Sequence, residues 1–467
     1  MNVLIIGENK YNNRVSEFFS GKGCNPVIVT DVRQLRFFRG EAGSFIAKTK
    51  NAELKAELVI LTEQPAAAPI EIAGLPARSL YEDEKASIKP KTDRLEPVVF
   101  LLDYACESPM AATIRALSDS AELAHNKRRV YYLAKFIRTA GRGVETLYRE
   151  ARDAGVTFVK YETLDITADE ATEEFSIKAS DGVLELAIRT RIIYADGGRE
   201  VGERFVHAAS KLGLTPNKDG YLLEDSYYLA PVLTSRRGVY HISRDLAAER
   251  LEEGLDHIFA YACACVGSGL WDVPPHGIAQ IDGNKCILCY HCHRACPHAA
   301  LEPCTLARRM QSLPKACAGC GSCASVCPGN AITLEKDIFY TGARGKADKT
   351  LVICCENSAA IAMEKTLPML GEDAAGIETR TVPCGGRIGL EQLSDELGNY
   401  GKVIAAVCPD DACRHFSGNK RACAQTGRLS EMLERAGLSP ERIRFTQVSH
   451  AMPGVFRDEL SRLIRGD

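Results

Sequence analysis

The chain has 467 residues, of which 45% are hydrophobic and 25% are charged, as in an ordinary folded globular protein. Its net charge of -3 argues against binding to nucleic acid or to anionic membranes, since both require an excess of basic residues. No stretch approaches the roughly 18 uninterrupted apolar residues that a membrane-spanning helix needs. The first residues lack the basic and long apolar segments of a signal peptide, so we expect a cytoplasmic location.

The first 275 residues have the pattern of parallel β-α-β units, in which short apolar runs alternate with helices. We predict a Rossmann-type region with two lobes, the second at about residues 98–165. The predicted strands are residues 3–6, 27–30, 58–62, 98–102, 130–137 and 156–161, with a helix at 141–154. Residues 175–179 and 182–190 are typical of a β-hairpin that leads into a strand at 192–195.

The cysteines are concentrated in the second part of the chain. Of 19 cysteines, only Cys24 and Cys106 precede residue 263. In a chain expected in the cytoplasm, such clustering indicates metal ligation rather than disulfides. Cys263 and Cys265 alternate with alanine on a predicted helix of small residues, where we expect them to pack rather than to bind metal.

Residues 276–340 contain a four-cysteine motif twice, and both copies have the C-x2-C-x2-C-x3-C-P spacing of bacterial ferredoxins. In this motif the first three cysteines surround one [4Fe-4S] cluster and the fourth ligates the other cluster. The predicted ligands are Cys286, Cys289, Cys292 and Cys327 for one cluster, and Cys317, Cys320, Cys323 and Cys296 for the other. Two zinc sites are the alternative. Cys304, between the two copies, is expected to be a small buried residue rather than an extra ligand.

A dinucleotide-binding turn needs glycines directly after its first strand, because the backbone must approach the diphosphate closely. The sequence of Gly7-Glu-Asn-Lys-Tyr-Asn12 keeps only the first glycine of the G-x-G-x-x-G pattern. Asp31, just past the second strand, could contact a ribose hydroxyl, although an acidic residue there is equally typical of a solvated strand end. Gly7 and Asp31 are therefore candidate cofactor-binding residues only if FAD is retained.

Residues 130–148, 149–161 and 211–220 resemble the flavoprotein region of the A subunit of heterodisulfide reductase. The resemblance implies that residues 1–275 are a degenerate FAD/NAD-binding-like region, and that a flavin-contacting strand should end in Ala-Gly-Asp. The equivalent stretch here is residues 239–245, with Ser243 where glycine is expected, and the family's inserted cysteine motif is absent. Two interpretations follow: a flavoprotein fold that has lost FAD and serves as a scaffold, or a flavoprotein that binds FAD in an atypical way.

Residues 346–467 form a further α/β unit, after a predicted linker at 342–346 and with a final helix at 458–464. Cysteines follow each of three short apolar runs, at Cys354-Cys355, Cys384 and Cys408, and Cys413 lies shortly afterwards. Because the ends of parallel strands converge at one edge of a sheet, cysteines that are distant in sequence can meet at one metal site there.

Residues 350–450 resemble the delta subunit of methyl-viologen-reducing hydrogenase, which implies a [2Fe-2S] cluster. That family spaces its first cysteine pair as C-x-x-C, whereas Cys354 and Cys355 are adjacent. The expected ligands are Cys355, Cys384, Cys408 and Cys413, with Cys354 in reserve and structural zinc as the alternative occupant. Arg387, Asp410 or Asp411, and Gly418-Asn419 also lie at motif positions, whereas Cys423 is expected to be a bystander on a polar helix.

We therefore predict a multidomain α/β protein: a Rossmann-type flavoprotein-like region, an inserted bacterial 2[4Fe-4S] ferredoxin domain and a C-terminal α/β iron-sulfur domain. These three parts occur in the same order in the B subunit of quinone-modifying oxidoreductase. That subunit is similar to a fusion of the heterodisulfide reductase A subunit with the hydrogenase delta subunit. The resemblance implies an electron-transfer subunit of a cytoplasmic redox complex in an anaerobe. The expected partners are flavoprotein, heterodisulfide reductase-like, hydrogenase or dehydrogenase subunits.

No catalytic residue is predicted, because electron relay needs no acid, base or nucleophile. His291, His293 and His298 flank cluster ligands and are expected to face solvent or to tune cluster potentials. An FAD-containing oxidoreductase or electron-bifurcating subunit is the alternative. An iron-sulfur sensor that binds DNA is not indicated, since the sequence shows no basic helix-turn-helix.

Overall fold

The computed structural model describes residues 1–80, 96–139, 143–217, 220–222, 232–243, 251–266, 274, 276–304, 306–335, 347–410 and 412–465. The predicted linker at 342–346 and the motif residue Asp411 lie outside these ranges, and the side chain of Cys265 is not described. None of the described helices is both long and apolar enough to cross a membrane.

The first lobe is built on a four-stranded parallel sheet whose strands are almost fully buried at its centre. In spatial order the strands are Val239–His241, Leu58–Leu61, Asn2–Ile6 and Asn25–Val29. The alternation of a strand sends Val3 and Ile5 to one face, where they pack against the helices Asn12–Gly21 and Leu251–Val266. The other face packs against the helix Glu203–Lys211.

The second lobe has a five-stranded parallel sheet. In spatial order its strands are Arg78–Ser79, Ile193–Ala195, Val98–Leu101, Val130–Ala134 and Thr157–Lys160. One face packs against the helices Met110–His125 and Val144–Asp153. An antiparallel sheet covers the other face, with strands Thr163–Asp169, Glu174–Ser180 and Glu185–Thr190. The second lobe therefore extends beyond the predicted 98–165, because strands on both sides of that range complete its sheet.

Smaller elements connect and flank the two lobes. They are an antiparallel sheet of Phe37–Arg39, Phe45–Lys48 and Glu53–Ala56, the pair Ala66–Ala67 and Arg199–Glu200, the pair Glu71–Ile72 and Leu75–Pro76, and the 3-10 turn Val32–Gln34. The first of these sheets packs Phe45, Ala47 and Ala56 onto the core of the first lobe.

The cysteine-rich middle segment consists of two short antiparallel pairs and two single-turn helices. The pairs are Ala279–Ile281 with Ile332–Leu334 and Leu301–Cys304 with Arg309–Ser312; the helices are His291–Ala295 and Ser322–Ser325. Its core mixes cysteines with small and apolar side chains, among them Ala300, Leu301 and Met310. Segments with so small a core usually need a metal, disulfides or a partner surface for stability.

The C-terminal unit is a four-stranded parallel sheet with helices on both faces. In spatial order the strands are Ile377–Val382, Thr350–Cys355, Lys402–Val407 and Ile443–Gln447. The surrounding elements are the π-helix Glu356–Ala360, the helices Ile361–Thr366, Leu390–Asn399, Gly418–Arg435 and Pro453–Arg465, and the 3-10 turns Leu367–Gly376, Gly385–Arg387 and Pro440–Arg442. The central strand places Cys355 at its carboxyl end, between the strand that precedes Cys384 and the strand that precedes Cys408.

The predicted α/β multidomain class is confirmed, and the predicted strands and hairpin occur with bounds shifted by one to three residues. Several elements were not predicted. These are the antiparallel sheet at 37–56, the strand Thr163–Asp169, and the return of Val239–His241 to the edge of the first sheet.

Candidate metal centres

Four of the ferredoxin-type cysteines face one cavity. Cys286, Cys289, Cys292 and Cys327 all line it, together with apolar side chains that include Ile281, Met310 and Ile332. Backbone N–H groups of Met310 and Ala331 donate to the sulfurs of Cys286 and Cys327, at 3.5 and 3.3 Å. We call this set of four cysteines the first site. The fourth cysteine of the second motif thus meets the first three cysteines of the first motif.

The other four cysteines, Cys296, Cys317, Cys320 and Cys323, also lie together, and we call them the second site. Burial, together with the neighbouring Cys320 and Cys317, raises the pKa of Cys296 to about 12. Cys323 is also fully buried beside Cys320, Cys296 and Cys317, and its pKa is raised for the same reasons. The Ala300 N–H donates to Cys296 Sγ at 3.3 Å. Such raised pKa values mean that a bound metal must displace protons from these thiols.

The four cysteines selected in the C-terminal unit form a chain of sulfur contacts, and we call them the C-terminal site. Cys355 is hydrogen-bonded to Cys408, Cys408 to Cys413, and Cys413 to Cys384. Hydrogen bonds from the Cys384 and Cys408 thiols lower the pKa of Cys413, while the contact with Cys355 raises the pKa of Cys408. The adjacent Cys354 is buried on the strand, and burial raises the pKa of its thiol.

Glycine is required where the helix Gly418–Arg435 begins. A β-carbon on Gly418 would overlap Cys384 Sγ, and it would lie 2.9 Å from the Gly386 backbone nitrogen and 3.4 Å from Cys413 Sγ. The Gly418 N–H instead donates to Cys413 Sγ at 3.3 Å, and the Gly386 N–H donates to Cys384 Sγ at 3.5 Å. Asn419, fully buried, donates its amide to the Pro409 carbonyl at 2.8 Å and so fixes the loop after Cys408.

These observations fit iron-sulfur clusters at all three sites. Each site offers four cysteine sulfurs, backbone N–H groups that donate to those sulfurs, and a largely apolar surrounding. A thiolate set of this kind is the usual ligand shell of such clusters, and N–H···S bonds tune their potentials.

The second site and the C-terminal site share one interface. Cys320 belongs to the buried core of the C-terminal unit, and its charge acts on Cys384 and Cys413. Ser325 Oγ donates to the Gly386 carbonyl at 2.7 Å. A β-carbon on Gly321 would lie 3.0 Å from the β-carbon of Arg387, whose buried side chain covers that loop. The two cysteine loops are therefore in direct contact.

Two histidines meet at the same interface. His298 Nε2 lies 3.0 Å from His415 Nδ1, and His298 Nδ1 lies 2.7 Å from the Ser235 carbonyl oxygen. Burial lowers the pKa of His298, and it lowers the pKa of His415 to about 3, so both rings are neutral near pH 7. The expectation that His298 faces solvent is wrong, because the ring is closed in by three parts of the chain. His291 and His293 are exposed.

The flavoprotein-like region contacts the second site from the other side. The Gly40 N–H donates to Glu302, at 2.8 Å, and Arg237 donates to the Lys315 carbonyl at 3.1 Å. Arg236 is buried and donates to the carbonyls of Leu212 and Gly40 at 2.7 and 2.6 Å. Burial lowers the pKa of Arg236 to about 10, while Glu302 and Cys296 act in the opposite direction.

The turn after the first strand is closed by the chain's own side chains. Gly7 has φ +122°, and the Glu8 N–H donates to the Glu63 carboxylate at 3.1 Å. The Tyr11 N–H donates to the Asn9 side chain at 2.9 Å. A diphosphate at a helix N-terminus needs such N–H groups, and here a carboxylate already occupies one of them. The turn therefore does not fit a dinucleotide diphosphate bound in the usual way.

The other candidate flavin positions are also engaged locally. Asp31 accepts from the Arg33 N–H at 3.0 Å and pairs with its guanidinium at 2.9 Å, and this hydrogen bonding lowers the pKa of Asp31. Ser243 is buried just after the edge strand, and Asp245 lies outside the described residues.

Three further cysteines of the second part of the chain, outside the three sites, are exposed or half-buried. Cys263 does lie on a helix, Leu251–Val266, but its side chain is exposed, so the expected packing role is wrong. Cys304 is only half-buried, in contrast to the expected buried residue. Cys423 is exposed on the helix Gly418–Arg435, as is usual for a bystander. Asp410, the described member of the acidic motif pair, accepts from Gln447 at 2.9 Å.

Comparison with known proteins identifies two parts of the chain. Residues 350–465 match the family model of the methyl-viologen-reducing hydrogenase delta subunit, and residues 279–334 match that of a 4Fe-4S dicluster domain. The chain is 27% identical over 210 residues to the A subunit of H(2)/formate:CoB-CoM heterodisulfide,ferredoxin reductase of Methanococcus maripaludis. It is 28% identical over 212 residues to the iron-sulfur A subunit of CoB--CoM heterodisulfide reductase of Methanocaldococcus jannaschii.

Each of these two alignments covers 44% of this chain and 28% of the relative, so the chain matches about a quarter of those proteins' length. Among solved structures, T. acidophilum thioredoxin reductase is 13% identical, with a TM-score of 0.31, over 56% of this chain and 94% of that chain. The sequence matches confirm the predicted resemblance to a fusion of two parts, one like the A subunit of heterodisulfide reductase and one like the hydrogenase delta subunit.

Proposed function

We propose that this chain is an iron-sulfur electron-transfer subunit of a multi-subunit cytoplasmic oxidoreductase complex in an anaerobe, of heterodisulfide reductase-like or quinone-modifying type. An iron-sulfur redox role is supported by the 4Fe-4S dicluster match and by the heterodisulfide reductase relatives. The proposed cofactors are two [4Fe-4S] clusters and one [2Fe-2S] cluster, which would act as one-electron carriers.

The proposed ligands are the three sets of cysteines that the fold brings together. The first site would be held by Cys286, Cys289, Cys292 and Cys327, the second by Cys296, Cys317, Cys320 and Cys323, and the C-terminal site by Cys355, Cys384, Cys408 and Cys413. The cavity lined by the first set and the sulfur contacts within the third set support this assignment.

The observation that carries the proposal is the direct contact between the second site and the C-terminal site. Cys320 is 7% exposed and lies in the core of the C-terminal unit. Burial of this junction excludes water and holds the two ligand loops rigidly, as a pair of electron-carrying sites requires. The first site lies towards the surface, where Ile287, between two of its ligands, is 71% exposed. One partner would therefore dock beside the first site and another on the C-terminal unit.

In this proposal the flavoprotein-like region is a scaffold without FAD. The hydrogen bond from the Glu8 N–H to Glu63 supports it, as do the ion pairs of Glu8 and Glu63 with Arg204, at 2.8 and 3.0 Å. These contacts put negative charge where an FAD diphosphate would have to lie. The alternative, an FAD-containing or electron-bifurcating subunit, would need this cluster of side chains to rearrange.

Strictly anaerobic affinity purification tests the proposal. We expect redox subunits to co-purify, iron and sulfide to be present in the ratio of three clusters, and the denatured protein to release little flavin. Release of flavin near one equivalent per chain would contradict the scaffold role. A chain that purifies alone and contains zinc in place of iron would contradict the electron-transfer role.

A further inference from the structure

We infer that His298 and His415 are positioning residues whose mutual hydrogen bond couples the second site to the C-terminal site for electron transfer. The inference rests on the proposed function and adds to it the path between two of its three sites. It depends on where the two rings lie in the chain, on the direction of their hydrogen bonds, and on their burial.

The two histidines occupy equivalent positions beside ligands of different sites. His298 is two residues after Cys296, a proposed ligand of the second site, and His415 is two residues after Cys413, a proposed ligand of the C-terminal site. The 3.0 Å contact between the rings joins the two ligand loops through one hydrogen bond and short stretches of covalent chain. Cys320 Sγ lies within 4.8 Å of a ring nitrogen of each histidine.

The direction of these hydrogen bonds follows from the Ser235 carbonyl, which can only accept. His298 Nδ1 must therefore carry the proton that it donates to Ser235, at 2.7 Å. In the neutral ring His298 Nε2 is then an acceptor, and the proton in the 3.0 Å contact belongs to His415 Nδ1. The chain of donors runs from His415 to His298 to Ser235, so each ring is held in one tautomer and one orientation.

This arrangement also excludes a separate metal site made of His298, His415 and Cys320. Both ring nitrogens of His298 already have partners in the protein, so neither has a lone pair left for a metal ion. Cys320 is already a proposed ligand of the second site. The pair therefore acts through its hydrogen bonds and not by coordination.

Because His298 and His415 are buried, the hydrogen bond between their rings does more than hold the two loops together. Both residues are 8% exposed, and their rings meet edge to face at 5.2 Å between centroids. A hydrogen bond in such a low-dielectric setting is stronger than one in water and is not exchanged for a water contact. The two sites are thereby kept at one separation and connected by a continuous bonded path.

Four single variants of the full chain and the double variant His298→Phe/His415→Phe, purified anaerobically with their clusters, test the inference. His298→Phe and His415→Phe keep an aromatic ring but remove the hydrogen bond. His298→Gln keeps an acceptor for His415 and a donor for Ser235. His293→Phe is the matched control, because His293 also follows a cluster ligand and contacts a carbonyl, that of Leu301, but is exposed and lies away from the interface.

The measurement is pulse radiolysis with the methyl viologen radical as reductant, followed by the absorbance of the clusters. A bimolecular reduction should be followed by a unimolecular phase as electrons equilibrate between sites. We expect this phase to slow about tenfold in both phenylalanine variants, equivalent to about 1.4 kcal/mol in the barrier. The double variant should be no slower than either single one. His298→Gln and His293→Phe should keep the wild-type rate, and iron content and melting temperature identify intact protein.

An unchanged unimolecular rate in phenylalanine variants that keep all their iron would overturn the inference, as would a His298→Gln variant as slow as His298→Phe. If the phenylalanine variants lose iron, His298→Asn is measured instead, because the asparagine side chain is too short to bond both His415 and Ser235. A unimolecular rate in His298→Asn equal to that in His298→Gln would then overturn the inference. Wild-type protein with three clusters but no unimolecular phase would overturn the inference and leave the proposed function standing. Wild-type protein without a C-terminal cluster would overturn both the inference and the proposed function.

Discussion

Replacement of Gly418 by alanine should remove the C-terminal cluster and leave the two ferredoxin-type clusters in place. The added β-carbon would overlap Cys384 Sγ and would lie 2.9 Å from the Gly386 nitrogen. Ordinary carbon contacts lie at about 3.5–4.0 Å, so the turn that carries Cys384 has to move. Overpacking of this kind destabilises by about 1–3 kcal/mol, but here the displaced atom is itself a proposed ligand.

The same helix provides a matched control. Gly427 is exposed in the middle of Gly418–Arg435, and a β-carbon there would meet nothing within 4 Å. Alanine is favoured over glycine in a helix interior by about 1 kcal/mol, so Gly427→Ala should raise the melting temperature and keep every cluster.

Iron and sulfide analysis together with low-temperature electron paramagnetic resonance of reduced protein distinguishes the outcomes. We expect Gly418→Ala to lose the iron of one [2Fe-2S] cluster and its signal, while Gly427→Ala equals the wild type. A Gly418→Ala protein with full iron and an unchanged C-terminal signal would show that Cys384 Sγ is not held against Gly418.

Five further substitutions, in three sets, test other parts of the structure. Cys355→Ala should abolish the C-terminal signal whereas Cys354→Ala should keep it, because only Cys355 joins the chain of sulfur contacts; retention of the signal in both would contradict this choice of ligands. Cys327→Ala should disturb the cluster of the first motif and Cys296→Ala that of the second, as followed by Mössbauer spectra; the opposite pattern would refute the crosswise pairing. Gly7→Ala, at φ +122°, would bring a β-carbon into overlap with the Glu63 backbone nitrogen, so it should lower the free energy of unfolding by about 1–3 kcal/mol in denaturant titrations. Unchanged stability would mean that the turn is loose.

Much of the grouping of the cysteines could be predicted because cysteine spacing and strand order are local features of a sequence. The motif at 286–296 shows where a ferredoxin loop lies, and three apolar runs that each end near a cysteine indicate convergence at one sheet edge. The sequence also favoured Cys355 over the adjacent Cys354 as a ligand, because two neighbouring thiols rarely face the same iron. Alternation along a buried strand sends the two thiols in opposite directions, and the structure has only Cys355 in contact with Cys408.

Features that depend on contacts between domains could not be read from the sequence. His298 looked like a solvent-facing neighbour of Cys296, because its partners Ser235 and His415 lie 63 and 117 residues away. The Cys-x-His pattern occurs at Cys289, Cys296 and Cys413, so it did not by itself single out His298 and His415. The exposure of Cys263 was missed for a related reason, since a helix of small residues does not reveal which of its faces is covered.

The side chains that close the dinucleotide turn could not be read from the sequence. The missing glycines after Gly7 indicated that FAD would fit poorly. Glu63 gave no sequence signal, because it lies 55 residues beyond the Glu8 N–H that it accepts from. A buried carboxylate at the end of one strand and an N–H at the end of its neighbour meet only once the parallel sheet has formed.

The most direct test of the central claim is a redox titration of the anaerobically purified chain, monitored by electron paramagnetic resonance. We expect one [2Fe-2S] signal and two [4Fe-4S] signals. We also expect the [2Fe-2S] signal to broaden by magnetic interaction when the second site, which adjoins the C-terminal site at Cys320, becomes reduced. A C-terminal unit that contains zinc, or a [2Fe-2S] signal that is unaffected by reduction of both ferredoxin-type clusters, would contradict the account.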